Sequence, residues 1–194
     1  MKKIGKVLIY LFLLVFVLVG AGMSYVKFGL PNVGDAPELK VKLTPERIER
    51  GRYLANHVSL CIDCHSTRDW SKFTAPLKEN TIGKGGEKFD ESKGFPGSVH
   101  SANITPFNLK SWTDGELYRL ITPGVGKDGS ALINIMPYPA YGRMATEDIY
   151  SIIAYLRTLP SVESTVPERR LDFPLNFIVN TIPSPAAPQA IPET

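Results

Sequence analysis

Cys61-Ile62-Asp63-Cys64-His65 is the stretch on which the reading of this chain turns. Its two cysteines are the only ones in 194 residues, and they stand three apart. Such a pair closes at most one tight loop, too little for a disulfide framework, and the adjoining imidazole asks for a shared task. Cys-x-x-Cys-His is the spacing at which two thiols add as thioethers to the two vinyl groups on one side of a porphyrin. His65 is then pinned beneath the iron and offers its Nε2 as the proximal ligand. The stretch therefore predicts one covalent haem c, with Cys61 and Cys64 as its thioether anchors.

Three rival readings explain less. A thioredoxin-type dithiol belongs in a strand-rich βαβ setting and needs no histidine after it. A zinc site needs a fourth ligand, usually from a second Cys/His pair, and the other two histidines, His57 and His100, are not paired. A lone small disulfide would leave His65 without a role.

A sixth iron ligand has to come from elsewhere in the chain. Met136, Met144, His57 and His100 are the candidates, since Met1 and Met23 belong to the N-terminal segment. Met136 stands in Ile135-Met136-Pro137-Tyr138-Pro139, where Pro137 biases it to an extended backbone and Pro139 stiffens the same segment. A rigid segment suits the holding of a weak thioether, so Met136 is assigned as the distal ligand. Met144 falls just outside the last helix, where a packing contact is expected. His57 reads as polar surface at a helix end, and His100 lies beside an irregular loop.

Working outward, the chain opens on a strongly apolar segment. Val7 to Val26 carry no ionisable side chain but Tyr10 and Tyr25. Twenty residues at about 1.5 Å per residue span roughly 30 Å, the thickness of a bilayer core. Lys2, Lys3 and Lys6 precede it, which favours a cytoplasmic N-terminus and an exported remainder. Residues 1–26 are thus read as a transmembrane anchor, with a cleaved signal peptide as the alternative. The predicted location is the cell inner membrane, single-pass, with the haem domain on the periplasmic side. Three of the 22 Lys+Arg and none of the 19 Asp+Glu lie in residues 1–26, so the formal charge of +3 belongs to that segment. The exported part is near neutral, and no nucleic-acid partner is expected.

Residues 27–43, with Pro31, Gly34 and Pro37, read as a flexible tether. Thr44-Pro45-Glu46 then opens a helix that should run to about Val58. Residues 66–100, rich in glycine and charge, suggest a long surface loop. Thr113-Asp114-Gly115-Glu116 forms a capping box for a short helix ending by Pro123. A last helix, with Thr146 as its cap, places Ile149, Ile152, Ile153, Leu156 and Leu159 on one face and closes at Pro160. Residues 161–194 form a Pro-rich tail, read as extended or disordered. The fold class is mostly α: a helical domain over 44–160 around the haem, preceded by one transmembrane helix.

In this order of helix, Cys-x-x-Cys-His, loops, short helix, Met loop and final helix, residues 44–160 resemble a class I monohaem cytochrome c. Ser101-Ala102-Asn103-Ile104-Thr105-Pro106, Trp112-Thr113-Asp114-Gly115-Glu116 and Met136-Pro137-Tyr138, running into Tyr150 to Arg157, resemble the cytochrome c subunits of bacterial membrane-bound dehydrogenases. Those subunits commonly carry several such domains, whereas this chain has one motif. The resemblance implies an electron carrier rather than an enzyme, with redox proteins such as a dehydrogenase, an oxidase or another cytochrome as partners. It also implies that the first and last helices cross closely, a role that Gly51 fits unless it is an incidental helix glycine; Trp112 reads either as a donor to a haem propionate or as an ordinary core tryptophan. Two alternatives stay open: a five-coordinate haem sensor or peroxidase-like enzyme, and an interaction subunit of a dehydrogenase complex that carries no electrons.

Overall fold

Residues 2–190 are described by a computed structural model of the chain. The apolar N-terminus forms one helix, α1 (Lys2–Phe28), whose side chains from Lys3 onward are almost all exposed. It is long and apolar enough to cross a membrane. It ends where Gly29 N–H closes onto the Tyr25 carbonyl (2.8 Å), two residues before Pro31.

Helix α2 (Pro45–Tyr53) starts as the sequence suggests, with Thr44 Oγ1 accepting from Arg47 N–H at 3.3 Å and Pro45 in the first turn. It passes directly into a π-helical turn, Leu54–Val58. Leu60 then adopts a left-handed conformation (φ +52°), uncommon for a non-glycine residue, and turns the chain into α3 (Cys61–Cys64). Beyond α4 (Pro106–Leu109) comes α5 (Asp114–Ile121), which carries the reciprocal capping box. Thr113 N–H donates to Glu116 Oε2 at 2.7 Å, and Glu116 N–H donates to Thr113 Oγ1 at 3.1 Å. A short α6 (Tyr138–Tyr141) leads to α7 (Thr146–Thr158).

The cap of α7 differs from the sequence reading. Thr146 is the first helical residue, and the cap position falls to Ala145, which has no side-chain acceptor. The first turn is held from across the interface instead, by the ion pairs Arg47–Glu147 and Arg50–Asp148 to α2.

The α2–α7 crossing is the centre of the domain. A Cβ added to Gly51 would lie 1.8 Å from the Ser151 carbonyl oxygen, so only glycine permits this approach. Around the crossing Leu54, Ala55, Ile62, Leu117, Ile149, Ile152, Ile153 and Leu156 are buried in one apolar cluster.

Three segments read as irregular from the sequence are structured. Between 66 and 100 the chain forms β1 (Lys88–Asp90) and β2 (Gly97–His100), antiparallel, with Phe89 opposite Val99. The tail supplies β3 (Arg170–Leu171), which pairs with β2 and completes a three-stranded sheet. It continues into α8 (Leu175–Ile178) and a 3₁₀ turn, Val179–Thr181. Val179 is buried with Ala131 and Ile133 beneath Leu171, Leu175 and Ile182, and that small second core is what orders the tail. The tether, expected to be free, docks over its last part. Val41 is buried, its N–H donates to Asp114 Oδ2 at 2.8 Å, and the Pro37 carbonyl lies where a side chain of Gly115 would be.

Candidate functional site

The turn of α3 sets the geometry of the motif. Cys64 N–H donates to the Leu60 carbonyl (3.2 Å) and His65 N–H to the Cys61 carbonyl (2.9 Å). One helical turn therefore puts Cys61, Cys64 and His65, at positions i, i+3 and i+4, on one face. All three line a cavity of about 500 Å³. Its wall is mainly apolar, with Leu109, Leu117, Leu120, Ile121, Ile152 and Leu156 among the lining residues.

His65 is fixed in a defined tautomer. Its Nδ1 lies 2.7 Å from the Ala102 carbonyl oxygen, and a carbonyl can only accept, so Nδ1 carries the proton. Nε2 is left with a free lone pair. Burial pushes the imidazole pKa down, against the smaller opposing pull of the Ala102 hydrogen bond, and so keeps the ring neutral. A neutral imidazole oriented by a backbone carbonyl is the state in which histidine binds a metal. Gly85 lies beside both residues: its N–H donates to the His65 carbonyl at 2.7 Å, and a Cβ on it would come within 2.6 Å of the Ala102 carbonyl, while Gly86 N–H donates to the Ser101 carbonyl at 2.9 Å.

Both cysteines carry free thiols. Burial pushes the Cys61 thiol up to about 12, and burial likewise raises Cys64. A disulfide-exchanging pair needs the reverse, a thiol lowered towards neutrality, so this environment opposes dithiol redox chemistry. Among the described residues no cluster of three or more His, Cys, Asp or Glu side chains is arranged to hold a metal ion unaided.

Two of the four sixth-ligand candidates stand on the cavity wall, Met136 and His100. Met136 precedes a tight turn in which Tyr138 N–H donates back to the Met136 carbonyl at 2.7 Å across Pro137 (φ −78°, ψ 49°), an inverse γ-turn. Tyr138 itself is 1 % exposed. Its ring lies over Gly124 so closely that a Cβ there would come within 2.5 Å, which fixes the turn against the domain. His100 contributes an Nδ1 that is buried without a hydrogen-bond partner. Met144 does not line the cavity and accepts instead from Ser59 Oγ at 3.7 Å. His57 is exposed, with its ring tilted against Tyr53 at 5.4 Å between centroids.

Trp112 is on the wall, and the Lys127 ammonium sits 5.2 Å from its ring centroid. Lys127 and Arg169 are the cationic side chains among the lining residues. Two thiols, a free imidazole nitrogen, a broad apolar wall and two cations match a haem, which joins a flat apolar ring to two carboxylates. Phe89, Val99, Val166, Pro167 and Arg169 complete the wall from β1, β2 and the tail. None of these was singled out in the sequence, where strands of three or four residues leave no readable alternation and the tail's prolines obscure any period.

No protein-family model matches the chain. The chain is 28% identical over 137 residues to the cytochrome c subunit of alcohol dehydrogenase (quinone) from Gluconobacter oxydans, covering 69% of this chain and 24% of that protein. It is 31% identical over 134 residues to the fructose dehydrogenase cytochrome subunit of Gluconobacter japonicus, covering 67% and 25%. It is 30% identical over 116 residues to the gluconate 2-dehydrogenase cytochrome c subunit of Pantoea cypripedii, covering 56% and 22%. The chain thus spans about a quarter of the length of the curated relatives it matches. Cytochrome c subunits of dehydrogenases are what this chain is similar to.

Proposed function

We propose that this chain is a membrane-anchored, single-haem c-type cytochrome that passes electrons one at a time between a dehydrogenase or quinol-oxidising complex and a respiratory acceptor. The observation that carries this reading is the sharing of one apolar cavity by Cys61, Cys64 and the free Nε2 of His65.

Cys61 and Cys64 would hold the haem through thioethers, His65 would supply the proximal nitrogen, and Met136 the distal sulfur. The haem, when bound, supplies a one-electron iron couple. Each protein group has its own part in tuning that couple. The Met136 thioether is a weak, soft donor that favours the reduced state. The leucine and isoleucine wall excludes water and disfavours the added positive charge of the oxidised state. Lys127, Arg169 and the Trp112 indole suit the two carboxylates. With His65 and Met136 both holding the iron, no position on it would be left for a substrate, and the reading is of a carrier rather than a catalyst.

We take α1 as an uncleaved anchor. Its last turn is joined to the folded domain, since Asn180 Nδ2 donates to the Val26 carbonyl at 3.3 Å. With Lys2, Lys3 and Lys6 at its start, the haem domain would lie on the periplasmic side.

Carbon monoxide binding to the reduced, haem-loaded protein tests the proposal. A carrier with two side-chain ligands should bind it slowly or not at all. Rapid binding would mean an open iron and would replace this reading with a sensor or peroxidase-like one.

A further inference from the structure

Two parts of the chain far apart in sequence meet where α1 leaves its apolar stretch. α8 and its adjoining 3₁₀ turn pack beside the C-terminal end of α1, and the Asn180 amide donates to the Val26 carbonyl. Within this tail segment Leu175 and Val179, four residues apart, face the small second core. Phe173 and Ile178 are left outside it, 77 % and 46 % exposed. Phe28, at the end of α1, is 79 % exposed. An aromatic and aliphatic surface therefore continues from the outer end of α1 onto the tail.

Charge distribution follows the same boundary. Arg169, Arg170 and Asp172 precede Phe173, whereas residues 173–190 carry no Asp, Glu, Lys, Arg or His. The later part of that stretch lies on the domain, where Ala187 N–H donates to the Gly142 carbonyl and Gln189 N–H to the Arg143 carbonyl. A segment such as 173–178 seated among lipid headgroups would have its own reason to lack charge, because a charged group beside the acyl chains must be desolvated. Aromatic side chains at that depth place their rings at the interface.

We infer that residues 173–178 are a second membrane contact, resting in the interfacial layer beside the emerging end of α1 and setting the tilt of the haem domain over the bilayer. This rests on the reading of α1 as an uncleaved anchor. One helix alone leaves a domain free to swivel. A second contact beside it, joined to the sheet through β3, removes that freedom and presents one side of the domain to partners in the membrane plane.

The test uses full-length, haem-loaded protein in phosphatidylcholine nanodiscs doped with a phospholipid bearing a photoreactive diazirine high on its acyl chain. Adducts are mapped by peptide mass spectrometry. The expected result is labelling of 173–178 at a yield comparable with that of Tyr25–Phe28, and its loss in a Phe173→Ser, Ile178→Ser double variant that keeps the α1 adducts. Adducts on α1 with none on 173–178 would overturn the inference, leave the anchor standing and assign the patch to a protein partner. Absence of adducts from both segments would overturn the anchor reading and this inference together.

Discussion

The Ser59 hydroxyl donates to the Met144 thioether at 3.7 Å, which ties that sulfur to the turn before the Cys-x-x-Cys-His motif, behind a residue that lines the cavity, whereas Met136 lines the cavity itself. Two methionines lie C-terminal to the motif, and the proposed function gives them different tasks. Met144→Ala should leave the low-spin absorption spectrum of the haem-loaded protein unchanged and cost about 2 kcal/mol of stability for the packing lost. Met136→Ala should abolish the His/Met absorption. If a low-spin spectrum with two nitrogen ligands replaces it, His100 has moved in, as its unpartnered Nδ1 on the same wall allows. An unchanged spectrum in Met136→Ala would transfer the ligand role away from that residue.

Thioether anchorage makes a separate prediction. The Cys61→Ala, Cys64→Ala double variant can still hold haem through His65 and the apolar wall, but not covalently. Acidified organic solvent should extract the haem from this variant and leave it on the wild type. Retention by the double variant would show that the thiols are not the points of attachment.

How much of the fold and site was legible in sequence depended on how local the chemistry is. The proposed haem attachment would use two thiols and an imidazole on one turn, so Cys61, Cys64 and His65 lie within five residues and are readable at once. Met136 was singled out because Pro137 marks its backbone, and it stands on the wall of the cavity that Cys61, Cys64 and His65 share. The crossing glycine followed from family resemblance, and the Ser151 carbonyl stands where that resemblance implies a partner. Legibility failed where order comes from distant contacts. The Pro-rich tail is held by Ala131 and Ile133, which no local pattern connects to Val179. The tether is held by the absence of a side chain at Gly115 and by one carboxylate oxygen of Asp114. Thr146 had the composition of a cap, but the ion pairs from Arg47 and Arg50 anchor that helix end from another element.

At the helix crossing, Gly51→Ala should be costly despite alanine's higher helix propensity. The new methyl would meet the Ser151 carbonyl at 1.8 Å and the Tyr155 Cβ at 2.9 Å, so the helices must separate. Overpacking of this kind costs about 3 kcal/mol. Thermal unfolding of the haem-loaded protein should show a clear fall in Tm, whereas Gly129→Ala, in open space but at φ +81°, should show a smaller one. Equal melting of the Gly51 variant and wild type would mean that the two helices have room to accept a methyl group at the crossing.

Asp114 joins three parts of the fold, and its loss should release the tether. One carboxylate oxygen accepts from Arg157 Nε (3.0 Å) and Nη2 (2.8 Å), and the other accepts from Val41 N–H. Arg157 also donates to the Leu109 and Trp112 carbonyls, both at 2.6 Å. Asp114→Ala leaves a half-buried guanidinium without its counter-ion and the Val41 amide without an acceptor, a cost of about 2 kcal/mol. Asp114→Asn keeps an acceptor for one of the two and should lose less. Because the tether has few other polar contacts with the domain, its release should precede global unfolding. Limited proteolysis at native temperature should then cut the Asp114→Ala protein between Lys40 and Lys42 while the haem domain stays intact and low-spin. Wild type should resist cleavage there. Equal resistance in the variant would show that Leu39 and Val41 hold the tether by apolar contact alone.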